Sequence, residues 1–286
     1  MRALIFALAL TLFLTANSSS LVITKDLNIL KKYPDIKRNL SFLNGLSVSL
    51  LGFREGKYNW YMLLVTNTKA PSGPFWFLPH DNENSAFDSA IYATRKYGGG
   101  FLSILSGGLR YHEGQDPNRN FSLSSSKVAS CQFQKGASSI YTATIMQIIN
   151  SHKAPSMPYL ALHNNTNRGS VSILRNSKST KSFLAYSKAK ILKGRGLSDE
   201  DSLVYIAGAT PNAPMQKVQK LLNVGLNTKY EYVNSTNNDC SMSNFLVTQN
   251  LDNYYNIEAQ HKKSGVQKEM IDRLIKVIMS SKWGDL

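Results

Sequence analysis

The sequence predicts a mixed, mostly parallel α/β sheet with helices on both faces, built as one domain. Three observations predict it. Apolar runs of strand length alternate with amphipathic runs of helical length. Glycines and prolines punctuate the joins between them. Beyond an apolar leader, about 270 residues remain, which suits one large core better than two small ones.

Taken in order, "SVSLLGFREGKYNWYMLLVT" from Ser47 to Thr66 is a hairpin whose turn falls at Arg54-Glu55-Gly56-Lys57. Pro71, Gly73 and Pro74 mark a loop, and Phe75 to Leu78 is a short buried strand that stops at Pro79-His80. The run "AFDSAIYATRKY" then places Phe87, Ile91 and Tyr92 at helical spacing, with Ala90 on the same face, until Gly98-Gly99-Gly100 ends it. Phe101 to Leu105 is the next strand and Ile140 to Asn150 the next helix. Pro155 and Pro158 precede a buried strand from Tyr159 to Leu162 that ends at His163. Val171 to Leu174, Ser182 to Tyr186, Ser202 to Gly208 and Tyr254 to Gln260 have strand character. Ala213 to Val224, Met242 to Asn250 and Gln267 to Ser280 have helical character. Asp239-Cys240-Ser241 caps the second of these helices. There is no internal repeat.

The leader runs Met1-Arg2, an apolar block from Ala3 to Leu14, then Thr15-Ala16 before polar Asn17. This is the pattern of a secretory signal, too short to span a bilayer, so residues 1–16 are expected to be a signal peptide and 17–286 the exported domain, periplasmic or secreted. The formal charge is +15, with 33 Lys and Arg spread along the chain. Export argues against nucleic acid as the partner and favours an anionic cell-wall polymer, an acidic membrane surface or a carboxylate-bearing substrate. Cys131 and Cys240 can form one structural disulfide in an oxidising compartment, contributing roughly 2–5 kcal/mol. They cannot make a four-ligand structural zinc site alone. No Gly-x-Ser-x-Gly and no glycine-rich phosphate loop occurs, which argues against a serine hydrolase and a nucleotide-phosphate enzyme. The sequence sets no oligomeric state.

The chemistry gathers at predicted strand ends, where open α/β sheets place their ligands. His80 and Glu83 follow one strand, His163 ends a second, and Glu258 lies in a third. Two imidazoles and a carboxylate are a three-ligand set for Zn²⁺ with the fourth position left to water, the arrangement of a catalytic site. Glu258 is the candidate general base. Arg119 offers a planar fork that matches a carboxylate, Asn118 adds a hydrogen bond, and Arg110 can hold a developing oxyanion. His112, His152 and His261 are expected to be solvated. Of Tyr254 and Tyr255, alternation allows one at most on the face of Glu258.

In order, "HDNE", "RYHEGQDPNRNF", "LALHNNT" and "NIEAQ" resemble the motifs of the zinc carboxypeptidase superfamily, and most closely those of the succinylglutamate desuccinylase and aspartoacylase branch: His-Gly-Asn-Glu, Arg-Tyr with Asp-Leu-Asn-Arg-x-Phe, Asp-Leu-His-Asn-Thr, and a strand glutamate. The resemblance runs from about Phe75 to Gln260. It implies a zinc carboxypeptidase-like fold, His80, Glu83 and His163 as zinc ligands, Arg110 polarising the carbonyl, Asn118 and Arg119 holding a substrate carboxylate, and Glu258 as base. Ala161 stands where that branch has aspartate, so support for the metal ligands must come from elsewhere; Pro117 stands where it has leucine, which stiffens the loop and leaves the chemistry alone. The implied activity is hydrolysis of an amide bond beside a free carboxylate. Export points to peptides or peptidoglycan stem peptides; N-acyl amino acid deacylation is the alternative, and an inactive wall-binding module is a third reading that retention of all four ligand and base residues disfavours.

Overall fold

Strands that are buried on both faces read as unbroken apolar runs, and this protein has such strands in the middle of its sheet. The computed structural model describes residues 22–122, 139–169, 171–174, 182–251 and 253–280; the leader and Cys131 fall outside them. Ten strands form one sheet: β1 (Val22–Thr24), β2 (Ser47–Glu55), β3 (Tyr58–Thr66), β4 (Phe75–Leu78), β5 (Gly100–Leu105), β6 (Tyr159–Asn165), β7 (Phe183–Tyr186), β8 (Leu203–Gly208), β9 (Asn227–Tyr232) and β10 (Tyr254–Gln260). Their spatial order is β1-β2-β3-β5-β4-β6-β10-β8-β9-β7. The central block β5-β4-β6-β10 is parallel throughout, and so is β8 with β9; the remaining neighbours are antiparallel. The sheet is therefore mixed, with its parallel part in the centre.

Side chains alternate strictly across this sheet and divide the core in two. Trp76, Leu78, Leu160, Leu162, Tyr255 and Ile257 face one way. Against them pack α1 (Leu27–Leu30), α2 (Pro34–Leu43), α3 (Asn84–Tyr97), α5 (Met215–Asn223) and α7 (Ser264–Ser280). Phe75, Phe77, Ala161 and Tyr254 face the other way, under α4 (Ser139–His152) and α6 (Met242–Thr248). Among the described residues no helix is long and apolar enough to cross a membrane.

The β2–β3 hairpin turns where expected, with Glu55 opposite Tyr58 and Gly56 at a φ of 56°. The glycine run after α3 is needed for another reason. Gly98 and Gly99 have φ of 79° and 69°, and a Cβ on Gly99 would run into the carbonyl oxygen of Pro74, so only glycine lets helix and strand approach this closely. The helix α3 is then tied to α7 by Asp272, which accepts from Tyr92, Tyr97 and Lys96 at 2.7–2.9 Å.

Three expectations change. Val171 to Leu174 is a turn and not a strand, held to the main body by the Ile173 N–H donating to the Glu200 carbonyl at 2.8 Å. The strand β9 and the N-terminal elements β1, α1 and α2 are additions. His112 is buried and stacked on Trp60 with ring centroids 4.6 Å apart, and half-buried His152 stacks on Phe75 at 5.4 Å; neither is the solvated histidine that its polar neighbours suggest.

Candidate metal centre

The C-terminal ends of β4, β6 and β10 lie side by side on one edge, and each delivers a functional residue there. Pro79 stops β4, so the chain turns and His80 follows the last strand residue into the crevice. Glu83 precedes α3, at the end of the helix that favours negative charge. His163 belongs to β6 and lies on the same face as Ala161.

These three are brought together. One ligand atom from each of His80, Glu83 and His163 lies within 4.8 Å of the others, and all three residues are buried. The His80 Nδ1 and Glu83 Oε1 are 2.8 Å apart, and His163 Nδ1 is 3.3 Å from Glu83 Oε2. Two imidazoles thus converge on one carboxylate, as ligands to a shared metal ion would. Burial alone would raise the Glu83 pKa, but the two imidazoles outweigh it and hold the carboxyl well below its usual range. Burial likewise opposes charge on His80, yet Glu83 and Asp116 prevail and raise its pKa.

The ligand set fits a divalent metal by a further test. The other nitrogen of His80, Nε2, bonds to Asp116 Oδ1 at 2.9 Å, the carboxylate support that metal-binding histidines use to fix ring orientation. Glu83 Oε2 accepts the Asn164 N–H at 3.0 Å, and the Asn164 side chain accepts the Ala86 N–H at 2.9 Å, so the strand holds the carboxylate and is itself tied to the first turn of α3. Gln267 of α7 donates to the His163 carbonyl at 2.9 Å from the back of the sheet. Asp116, Asn164 and Gln267 were not singled out by sequence, although the first two lie inside the motifs and Asp116 directly precedes Pro117-Asn118-Arg119.

Arg110 rides on a loop that Asp81 pins by accepting the Ser106 and Gly108 N–H groups, both at 2.7 Å. Its guanidinium lies 3.4 Å from Glu83 Oε1 and 3.2 Å from Asp116 Oδ2, and the side chain is 38% exposed, so it borders the centre and still meets solvent. Asn118 is placed otherwise than a free hydrogen-bonding group would be: its Oδ1 accepts the Met242 N–H at 3.0 Å, starting α6. Arg119 donates to the Asn118 carbonyl at 2.8 Å and pairs with Asp239 at 3.2 Å. With 26% of its side chain exposed, it keeps donors for a further anion. The capping expectation holds, since Ser241 Oγ accepts the Asn244 N–H at 3.3 Å.

Glu258 sits opposite His163 in the β6–β10 register, one strand spacing away, with Asn256 donating to its Oε1 at 2.9 Å. Burial raises its pKa, and the two histidines only partly offset that, which favours a group able to accept a proton nearer neutrality. Tyr254 shares its face and Tyr255 the opposite one, as alternation requires. Beyond Glu258 the same face carries Tyr205, Lys229 and Glu231, none of which was foreseen. Glu231 accepts from Tyr205 at 2.6 Å and Asn244 at 2.8 Å; burial, with Asp239 next, raises its pKa to about 7.

No family model matches the chain, and no curated protein does. Solved structures do. A provisionally named metallopeptidase from Shewanella amazonensis is 14% identical, with a TM-score of 0.47, over 88% of this chain and 92% of that one. Another from Shewanella denitrificans is 11% identical at a TM-score of 0.46, over 93% and 97%. A provisionally named carboxypeptidase A from the same organism is 11% identical at 0.42, over 85% and 69%.

Proposed function

We infer that the protein is an exported, zinc-dependent amide hydrolase acting beside a free carboxylate, on peptides or peptidoglycan stem peptides. One observation carries this reading: the buried His80, Glu83 and His163 trio converges within 4.8 Å, with the carboxylate of Glu258 on the adjoining strand rung. A divalent zinc ion held by that trio would acidify water and polarise a substrate carbonyl.

The chain's own groups divide the remaining work. Glu258 accepts the proton from attacking water on a carboxylate whose buried surroundings resist ionisation, and returns it to the leaving amine. Arg110 turns its exposed N–H groups to the oxygen on which negative charge develops. Arg119 holds the carboxylate of the substrate, and Asn118 keeps the arginine in place through its backbone carbonyl. Asp116 maintains the orientation of the His80 ring.

The test is elemental analysis of protein purified without added metal, comparing wild type with a His80→Ala, His163→Ala double variant, followed by assays on peptides with free C-termini and on N-acyl amino acids. Near one zinc per chain, lost in the double variant, together with release of C-terminal residues, supports the proposal. Turnover of N-acyl amino acids alone would move the assignment to a deacylase. Absence of metal even after zinc is supplied would end the hydrolase reading.

A further inference from the structure

Three consecutive acids, Asp199, Glu200 and Asp201, lead into β8, and their exposures are 3%, 1% and 0%. Buried carboxylates are normally paired with a cation or bound to a metal. Among the described residues none of these three is in an ion pair with lysine, arginine or histidine.

Their surroundings supply acceptors in excess of donors. The Gln260 Nε2 lies 3.0 Å from Asp201 Oδ2, 3.3 Å from Asp199 Oδ1 and 3.3 Å from Asn167 Oδ1, so one neutral amide nitrogen with two protons stands at the focus of three oxygens, two of them carboxylate. Asn165, directly opposite Gln260 in the strand register, donates from Nδ2 to the Asp201 carbonyl at 2.9 Å. Its other atom, Oδ1, is buried and has no partner, and the residue is 8% exposed. Asp201 Oδ1 and both carboxylate oxygens of Glu200 are buried and unpartnered as well. A buried orphan acceptor costs free energy, and Asn165 Oδ1 and Asp201 Oδ1, together with the Asp199 carboxylate, leave one chemical deficit: positive charge.

The geometry points to a second cation site, separate from the histidine centre, in which Asp199, Asp201, Asn165 and Asn167, with Gln260 turned to present Oε1, take one calcium-type divalent ion. The donors are all oxygen, which excludes an ion that demands nitrogen or sulfur. Neutral amide carbonyls mixed with carboxylates in irregular array suit calcium, whereas magnesium demands a near-ideal octahedron. With the amide turned, Gln260 Oε1 would stand about where Nε2 does, 3.0–3.3 Å from the Asp201, Asp199 and Asn167 oxygens, a spacing that lets an ion lie among them at calcium–oxygen distances of about 2.3–2.6 Å. Asn167 is exposed, so the site has an entry path and room for water ligands.

The position gives the ion a task. Asn165 lies two residues beyond His163 on β6, and Gln260 two beyond Glu258 on β10. Asp201 Oδ2 also accepts the Arg168 N–H at 2.7 Å, and Asp199 accepts from Gly194. One ion would bind together the exit of β6, the approach to β8 and the end of β10, making the rim of the histidine centre rigid.

Calcium titration calorimetry on chelator-treated full-length protein tests this, with the His80→Ala, His163→Ala double variant and Asp201→Asn alongside. One calcium should bind per chain in the wild type and equally in the double variant, and loss of the Asp201 charge should weaken binding by about tenfold or more. Without calcium, Asp201→Asn should melt higher than wild type because an uncompensated buried charge is gone; with calcium the order should reverse. No binding at millimolar calcium, binding that disappears with the two histidines, or binding undiminished in Asp201→Asn would each overturn the site. If Asp201→Asn fails to fold by circular dichroism, exposed Asn167→Ala takes its place, with weaker binding expected and unchanged binding contrary.

Discussion

Glu258 shows how a side chain's chemistry is set by the residues around it. An ordinary carboxylate is a weak base at neutral pH, but full burial raises its pKa against the hydrogen bond from Asn256. Glu258→Gln keeps shape and hydrogen bonding and removes the base, so hydrolysis should fall by about 10²–10⁴-fold while zinc content stays that of the wild type. Activity with metal analysis of one preparation checks it. Asp116→Ala acts differently. It frees the His80 ring, and metal affinity measured by chelator competition should drop by about 10–100-fold. His80, Glu83, His163 and Glu258 are legible in the sequence because each lies in the last half of an apolar strand or in the loop just after one. Asp116, Asp81 and Gln267 are not, because their roles consist of contacts across 36, 25 and 104 positions of chain that no local pattern encodes.

At the scale of elements, burial and not propensity decides what sequence reveals. The strand β9, "NTKYEY", alternates as a half-exposed strand would, yet Asn227, Lys229 and Glu231 are buried and Tyr230 packs in the opposite core. Its polar face is turned into the crevice beside Glu258, so the usual assignment of polar residues to solvent fails. Residues 171–174 fail in the opposite sense, being apolar without a strand partner. The helix α2 begins at Pro34 and carries Asp35 on its buried side; burial raises the Asp35 pKa to about 6 despite nearby Arg38. A proton is therefore held more tightly in the native state than in the unfolded chain. The resulting stability is full below the unfolded value of 3.8 and is lost as pH rises through about 6. Asp35→Asn should flatten urea-unfolding stability between those pH values and gain on the order of 2–3 kcal/mol over wild type at pH 7. An unchanged pH slope would count against this account.

At the scale of the molecule, alternating strands and helices with short joins were enough to read a mixed sheet covered on both faces. The strand order was not legible, because pairing over long separations leaves no local trace. The last strand among the described residues, β10, is inserted between β6 and β8, which are otherwise not neighbours. Ile257→Ala, at a fully buried position of β10, should cost about 2–5 kcal/mol in denaturant unfolding. It should also bring loss of both halves of the sheet in a single transition, visible as coincident fluorescence and circular dichroism curves.

That insertion also orders events in time during synthesis. Until β10 has emerged, the strands before β7 and the strands from β7 to β9 have no rung in common, and even the nearest prospective ligand, His163, precedes the prospective base Glu258 by almost a hundred residues. A nascent chain can thus gather the prospective ligands before the prospective base arrives. The keystone strand delivers the prospective base and closes the sheet in one step, so the proposed site is complete only when the sheet is.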